Sequence, residues 1–118
     1  MKVCILGDGL SSLTLAKALV NQKIFVDVLA PKSEIISIKS RTIGISKSNT
    51  DFFNKNIINI KRYLWRLKKI EIYSDNLKNE KLLDFEGDNQ KLFSIIKNHE
   101  LYQALKKDLS KNKYFKKK

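Results

Sequence analysis

Two glycines and two serines in Gly7-Asp8-Gly9-Leu10-Ser11-Ser12 are the residues whose types and spacing point most directly to chemistry. The spacing is that of a turn feeding a helix. The first backbone amides of a helix have no intrahelical acceptor and face outward with the positive end of the helix dipole. A pyrophosphate fits in front of such amides. Gly7 allows the tight turn, and Gly9 lets the backbone approach the phosphates with no Cβ in the way. The third position of this fingerprint is usually Gly or Ala, so that helix and strand pack closely; here it is Ser12, the next smallest choice.

The elements that must position the turn lie on either side of it. Val3-Cys4-Ile5-Leu6 is a continuous apolar run, expected to be a strand of a parallel sheet buried on both faces. After the turn, Leu13, Ala16 and Val20 share one helical face with Leu10 and Leu19 beside them, and Asn21-Gln22-Lys23 closes the run. Ile24 to Leu29 reads as a second strand, so residues 2–30 form a βαβ unit. An acid is expected at the end of that second strand to hold ribose hydroxyls. Leu29 and Ala30 stand there instead, and Glu34 in the following loop is the nearest substitute.

At 118 residues, 42% hydrophobic and 31% charged, the chain has the composition of one soluble domain. No apolar run approaches the roughly 20 residues that cross a bilayer. The N-terminal apolar stretch is broken by Gly7, Asp8 and Gly9, unlike a secretory signal, so a cytoplasmic location is expected. Cys4 is the only cysteine; it cannot form an internal disulfide and reads as a small core residue. The net charge of +12 raises the question of nucleic acid, because clustered cations gain from counterion release. Only Arg41, Arg62 and Arg66 carry the forked guanidinium that recognition sites favour, and the lysines are accompanied by abundant Ile and Asn, as an AT-rich coding sequence produces. The charge therefore reads as a solvated lysine surface, with no specific nucleic-acid partner expected.

Further along, Pro31 to Glu34 reads as a loop, and residues 35–50 form a segment around Arg41. Thr42 to Ile45 is extended, and Ser48 or Asn49 caps a helix through Phe52 and Phe53. Arg41 is either a surface arginine or a guanidinium at the mouth of the βαβ crevice, placed to pair with a phosphate. Between Asn59 and Lys69, Ile60, Tyr63, Leu64 and Leu67 fall at i, i+3, i+4 and i+7, which predicts a helix; its Lys/Arg side faces water or an anionic membrane surface. Ile70 to Ser74 and Leu82 to Phe85 read as a hairpin across a turn near residues 76–79, so that helix and hairpin occupy residues 52–86, with another turn at 86–89. Phe93 to Ile96 is a strand. Asn98 then caps a helix, with Leu101, Tyr102, Leu105 and Leu109 on one face, that completes the strand and helix unit 93–110. His99 falls in its first turn, where a polar contact is the plain expectation; no His, Cys or paired-carboxylate constellation indicates a metal, and no residue is an evident catalytic acid or base. Residues 111–118 read as a frayed, lysine-rich tail.

In order and spacing these features resemble the N-terminal part of the class A flavoprotein monooxygenases, with the para-hydroxybenzoate-hydroxylase-like fold, and among them the ubiquinone-biosynthesis hydroxylases. The resemblance is carried by Ile5-Leu6-Gly7-Asp8-Gly9, by Arg41-Thr42-Ile43-Gly44-Ile45-Ser46, by Leu64-Trp65 through Ile70-Glu71-Ile72-Tyr73-Ser74-Asp75, and by Ile96-Lys97-Asn98-His99-Glu100-Leu101 leading to Ala104-Leu105. It implies an α/β fold with a Rossmann-type βαβ FAD-binding start, a small additional β-hairpin and further helices. It also implies FAD held by Gly7, Gly9 and Ser12 at the pyrophosphate, with Arg41 near the flavin end. His99 stands where the family often carries a cofactor-contacting arginine. NAD(P)H is the implied reductant, and the hydroxylation of an aromatic ring the implied reaction. Members of the family are several hundred residues long, so the resemblance implies an incomplete domain: a split gene that works with a separately encoded C-terminal half, a truncated reading frame or a remnant inactive by itself, with a hydroxylase complex or a membrane surface as further partners. Two other classes fit parts of the sequence: a non-enzymatic basic module that binds nucleic acid or anionic membrane, and a small NAD-binding Rossmann protein sharing only the first thirty residues.

Overall fold

The βαβ unit forms from three segments: β1 (Lys2–Leu6), α1 (Leu10–Asn21) and β2 (Phe25–Leu29). The two strands are parallel, with Val3 beside Val26 and Ile5 beside Val28. The computed structural model describes residues 1–31, 41–67, 69–73, 81–86 and 93–118. The loop acid Glu34 and the turns expected at 76–79 and 87–89 lie outside them.

Leu13, Ala16 and Val20 are the buried residues of α1, as their spacing requires. A later helix, here α2 (Lys47–Asn56), follows a strand β3 (Thr42–Ser46). Its cap is Ser46, whose hydroxyl accepts from the Asn49 amide at 3.3 Å; the expected caps Ser48 and Asn49 are already inside the helix. Two short strands follow, β4 (Trp65–Arg66) and β5 (Lys69–Tyr73), then β6 (Lys81–Glu86), β7 (Phe93–Lys97), α3 (Asn98–Ser110) and β8 (Phe115–Lys117). The parallel sheet runs in the order β1-β2-β8, and a second sheet runs β3-β7-β4, with antiparallel pairs throughout. β5 and β6 form the expected antiparallel hairpin, with Ile70 opposite Phe85.

One hydrophobic cluster joins these parts. Ile5, Val26 and Val28 of the parallel sheet meet Leu13, Ala16 and Val20 of α1 and Leu101, Leu105 and Leu109 of α3, and Ile45, Ile57, Ile60 and Ile96 extend the cluster to the second sheet. Both helices thus cover the same face of the parallel sheet.

Three further expectations change. β1 is not buried on both faces: Cys4 is exposed rather than a core residue, and Leu6 is 80% exposed. The helices cover only the face bearing Val3 and Ile5, and no described element lies over the other. No helix spans 59–69. The Asn54 side chain instead accepts from the Ile60 amide at 2.8 Å and the Asn59 side chain from the Lys61 amide at 3.0 Å; a single 3-10 turn follows at Lys61–Tyr63, and β7 recruits Trp65 and Arg66 to its edge. The tail is not frayed. Phe115 to Lys117 pair with Val26 to Val28, and Tyr114 packs its ring against Phe25 at a centroid distance of 4.8 Å.

Asp27 sits on the helix-free face of β2, yet is buried beneath ion pairs to Lys2 at 2.9 Å and Lys118 at 3.2 Å. The hydrogen bond from Lys2 holds its carboxyl below the ordinary carboxylate range; burial opposes this and Lys118 adds to it. A depressed folded pKa stabilises the fold above the unfolded value of about 4, and that contribution is lost as pH falls through the folded value. Asp27→Asn is therefore expected to flatten the fall in thermal midpoint as pH drops below about 4. An unchanged acid limb of the curve in the variant would show that the ion pairs do not couple to folding.

Candidate functional site

The glycine turn is built by β1 and β2 together. The Gly7 amide donates to the Leu29 carbonyl at 2.7 Å, which pins the start of the turn to the end of β2. Gly7 has φ of +107°, a conformation L side chains rarely adopt, so the position requires glycine. The Ser12 hydroxyl lies 3.5 Å from where a Cβ on Gly7 would stand, an ordinary contact distance, so it is the backbone conformation and not crowding that calls for glycine at position 7. Gly9 differs: its φ of −70° and ψ of 178° are open to any residue, and a Cβ there would meet nothing within 4 Å. Gly9 thus opens onto space.

That space faces the start of α1. The first helical hydrogen bond runs from the Leu13 amide to the Gly9 carbonyl at 3.0 Å, no side chain caps the helix, and its first turn contains no acid. The amides of Leu10, Ser11 and Ser12 are left for an external acceptor. An anion fits here both electrostatically and sterically.

Charges are arranged close to the turn. Asp8, between the two glycines, pairs with Lys117 of β8 at 3.0 Å. Tyr102, on the second turn of α3, lies near enough to sense both: burial raises its pKa, the Asp8 carboxylate raises it further, and the Lys117 ammonium opposes them. The turn, α3 and β8 therefore meet at one end of the sheet.

The Arg41 segment joins the site through α3. The Asn98 amide donates to the Arg41 carbonyl at 3.0 Å, so the Arg41 backbone is tied to the start of α3, one residue before His99, where β3 and β7 meet α3. Asn98 follows the cap position, held by Lys97, rather than capping the helix as expected. Its side-chain oxygen Oδ1 is buried with no hydrogen-bond partner, an acceptor waiting for a donor. Arg41 itself is exposed. An open groove of about 610 Å³ runs from Leu10, Ser11 and Thr14 of α1 past Ile43 and Gly44 of β3 to Leu101 of α3, and so links the glycine turn to the segment after Arg41. Among the described residues at the end of β2, no acid stands at the ribose position; Asp27 is two residues too early and committed to lysines. A separate, basic pocket of about 490 Å³ is lined by Lys61, Arg62, Lys107 and Lys111 with Asp108. No group of three or more His, Cys, Asp or Glu able to hold a metal occurs among the described residues. No helix among them is long and apolar enough to cross a membrane.

Sequence reasoning missed Lys117 and Tyr102. Tyr102 was visible only as part of an apolar stripe, and Lys117 only as one lysine in a run. The usable signal for Lys117 was the aromatic pair Tyr114-Phe115 just before it, which anchors the strand.

No protein-family profile and no curated protein sequence matches the chain significantly. Solved structures do match. The p-nitrophenol 4-monooxygenase of Pseudomonas putida superposes with a TM-score of 0.76 at 14% identity, over 98% of this chain and 31% of that one. A probable FAD-dependent monooxygenase from Pseudomonas aeruginosa gives 0.73 at 16% identity, over 99% and 32%. The 2,6-dihydroxypyridine-3-hydroxylase of Arthrobacter nicotinovorans gives 0.64 at 17%, over 98% and 28%. At these identities the likeness shows the fold, which is that of the N-terminal part of FAD-dependent monooxygenases. The chain spans about three tenths of the length of the structures it matches.

Proposed function

We propose that the chain is the FAD-binding portion of a flavoprotein monooxygenase that hydroxylates an aromatic ring in ubiquinone biosynthesis. The observation that carries the cofactor assignment is the start of α1, where uncapped amides face the open front of Gly9. A dinucleotide pyrophosphate suits that cradle, held by the amides of Leu10, Ser11 and Ser12, with Gly7 and Gly9 shaping the approach. Arg41 and His99 would serve the cofactor beyond the pyrophosphate, and the unpartnered Asn98 oxygen beside the Arg41 backbone would accept from a donor on it. When bound, the flavin supplies the redox chemistry, with NAD(P)H as reductant and oxygen as oxidant. The chain's own part is to orient the cofactor. The ubiquinone assignment rests on the resemblance of Arg41-Thr42-Ile43-Gly44-Ile45-Ser46 and the segments after it to those hydroxylases.

The same reading includes further polypeptide, supplied by a complementing chain or hydroxylase complex. Its support is the surface that the described residues leave bare: β1 pairs only with β2, and Cys4, Leu6 and Leu29 lie exposed on the helix-free face. The rival basic-module reading is weakened, because the amphipathic helix that would have laid Lys61, Arg62 and Arg66 on an anionic surface is replaced by a 3-10 turn and a strand.

The test is flavin uptake. The purified chain, alone or with a candidate complementing chain, is mixed with FAD and freed of excess, and its visible absorbance is recorded. A retained flavin spectrum is expected; a folded chain that takes up no flavin in either form contradicts the proposal, and preference for NAD over FAD in competition favours the small Rossmann-protein reading.

A further inference from the structure

The pair between Asp8 and Lys117 is an unusual neighbour for a phosphate cradle. Asp8 places a mostly buried carboxylate in the turn whose amides await an anion, and like charges at that range repel. Lys117 answers it from a fixed platform. The Val26 amide donates to the Tyr114 carbonyl at 2.8 Å and the Lys118 amide to the Val28 carbonyl at 2.9 Å, which sets the register of β8 on both sides. Lys117 accordingly stands beside Val28, near the carboxyl end of β2, where open α/β sheets place their ligands. Its ammonium reaches the turn from there.

We propose that Lys117 is a positioning residue of the dinucleotide site: through its 3.0 Å pair with Asp8 it holds the glycine turn in place and cancels the carboxylate that would otherwise repel the pyrophosphate. This rests on the FAD reading above and adds to it a residue outside the glycine fingerprint. Tyr102 on α3 lies near both charges.

The inference makes the two residues opposite in sign, and a double-mutant cycle reads that sign. FAD is titrated into the full chain and its variants, with far-UV circular dichroism confirming that each is folded. Lys117→Met, which leaves Asp8 bare, is expected to weaken binding about tenfold, and Lys117→Arg to stay within about threefold of the parent. Adding Asp8→Asn to Lys117→Met is expected to restore affinity to within about threefold of the parent, because the repelling charge has gone. A lysine that only packs would give no such rescue. Affinity unchanged by Lys117→Met, or a double variant as weak as Lys117→Met alone, overturns the role of Lys117 while leaving the FAD site standing. A folded parent chain that takes up no FAD, either alone or with a candidate complementing chain, overturns both.

Discussion

Gly9→Val abolishes flavin uptake and leaves the chain folded. The backbone at Gly9 has φ of −70° and ψ of 178°, extended values any residue adopts, and a Cβ there meets no protein atom within 4 Å, so valine adds no strain. Its side chain instead fills the space in front of the Leu10, Ser11 and Ser12 amides. Hydrogen bonds from backbone amides to a charged group are worth about 1.5–3 kcal/mol each. Losing two of them weakens binding by at least about 100-fold. The measurement is an FAD titration beside a thermal melt; a valine variant that binds like the parent would place the phosphates elsewhere. Gly7 is the wrong position for this test, because its φ of +107° makes any side chain a folding defect first.

Leu105→Ala has the largest expected effect on the fold itself. Leu105 is fully buried, one turn from Leu101 and Leu109, where α3 packs on α1 over Val26 and Val28. Large-to-small changes at such sites cost about 2–5 kcal/mol, a large share of the roughly 5–15 kcal/mol that holds a domain folded. Urea unfolding should show the midpoint falling sharply with the slope retained. A loss below about 1 kcal/mol would mean that α3 does not close the core. Because α3 also carries Asn98, His99 and Tyr102, the same variant should loosen the site, in contrast to Gly9→Val, which blocks the site without touching the core.

Much of this was legible in the sequence where local pattern and tertiary environment agree. The α1 face of Leu13, Ala16 and Val20, the α3 face of Leu101, Leu105 and Leu109, and the hairpin strands all follow from periodicity. The glycine turn was legible because its geometry is dictated by residue type. Where tertiary pairing decides, the pattern misleads. Ile60, Tyr63, Leu64 and Leu67 have helical spacing, but Asn54 and Asn59 capture the local amides and the edge of β7 takes Trp65, leaving it 69% exposed. Lys116 and Lys117 carry no strand signal of their own; they are strand because β2 has an edge to offer and Tyr114 anchors on Phe25. Cys4 looked like core because an apolar run cannot reveal that helices cover only one side of its sheet. The charge at the site was hidden for the same reason, since Asp8 and Lys117 are more than a hundred residues apart in sequence and meet only through strand order.

The most direct test of the central claim follows the backbone amide resonances of the isotopically labelled chain as FAD is added. The amides of Gly7, Gly9, Leu10, Ser11 and Ser12 are predicted to shift together and saturate, with Arg41 and Asn98 following. If FAD instead moves only the residues of the basic pocket at Lys61, Arg62, Lys107 and Lys111, or moves none whether the chain is alone or joined by a candidate complementing chain, the glycine turn is not the cofactor site and the flavoprotein reading fails.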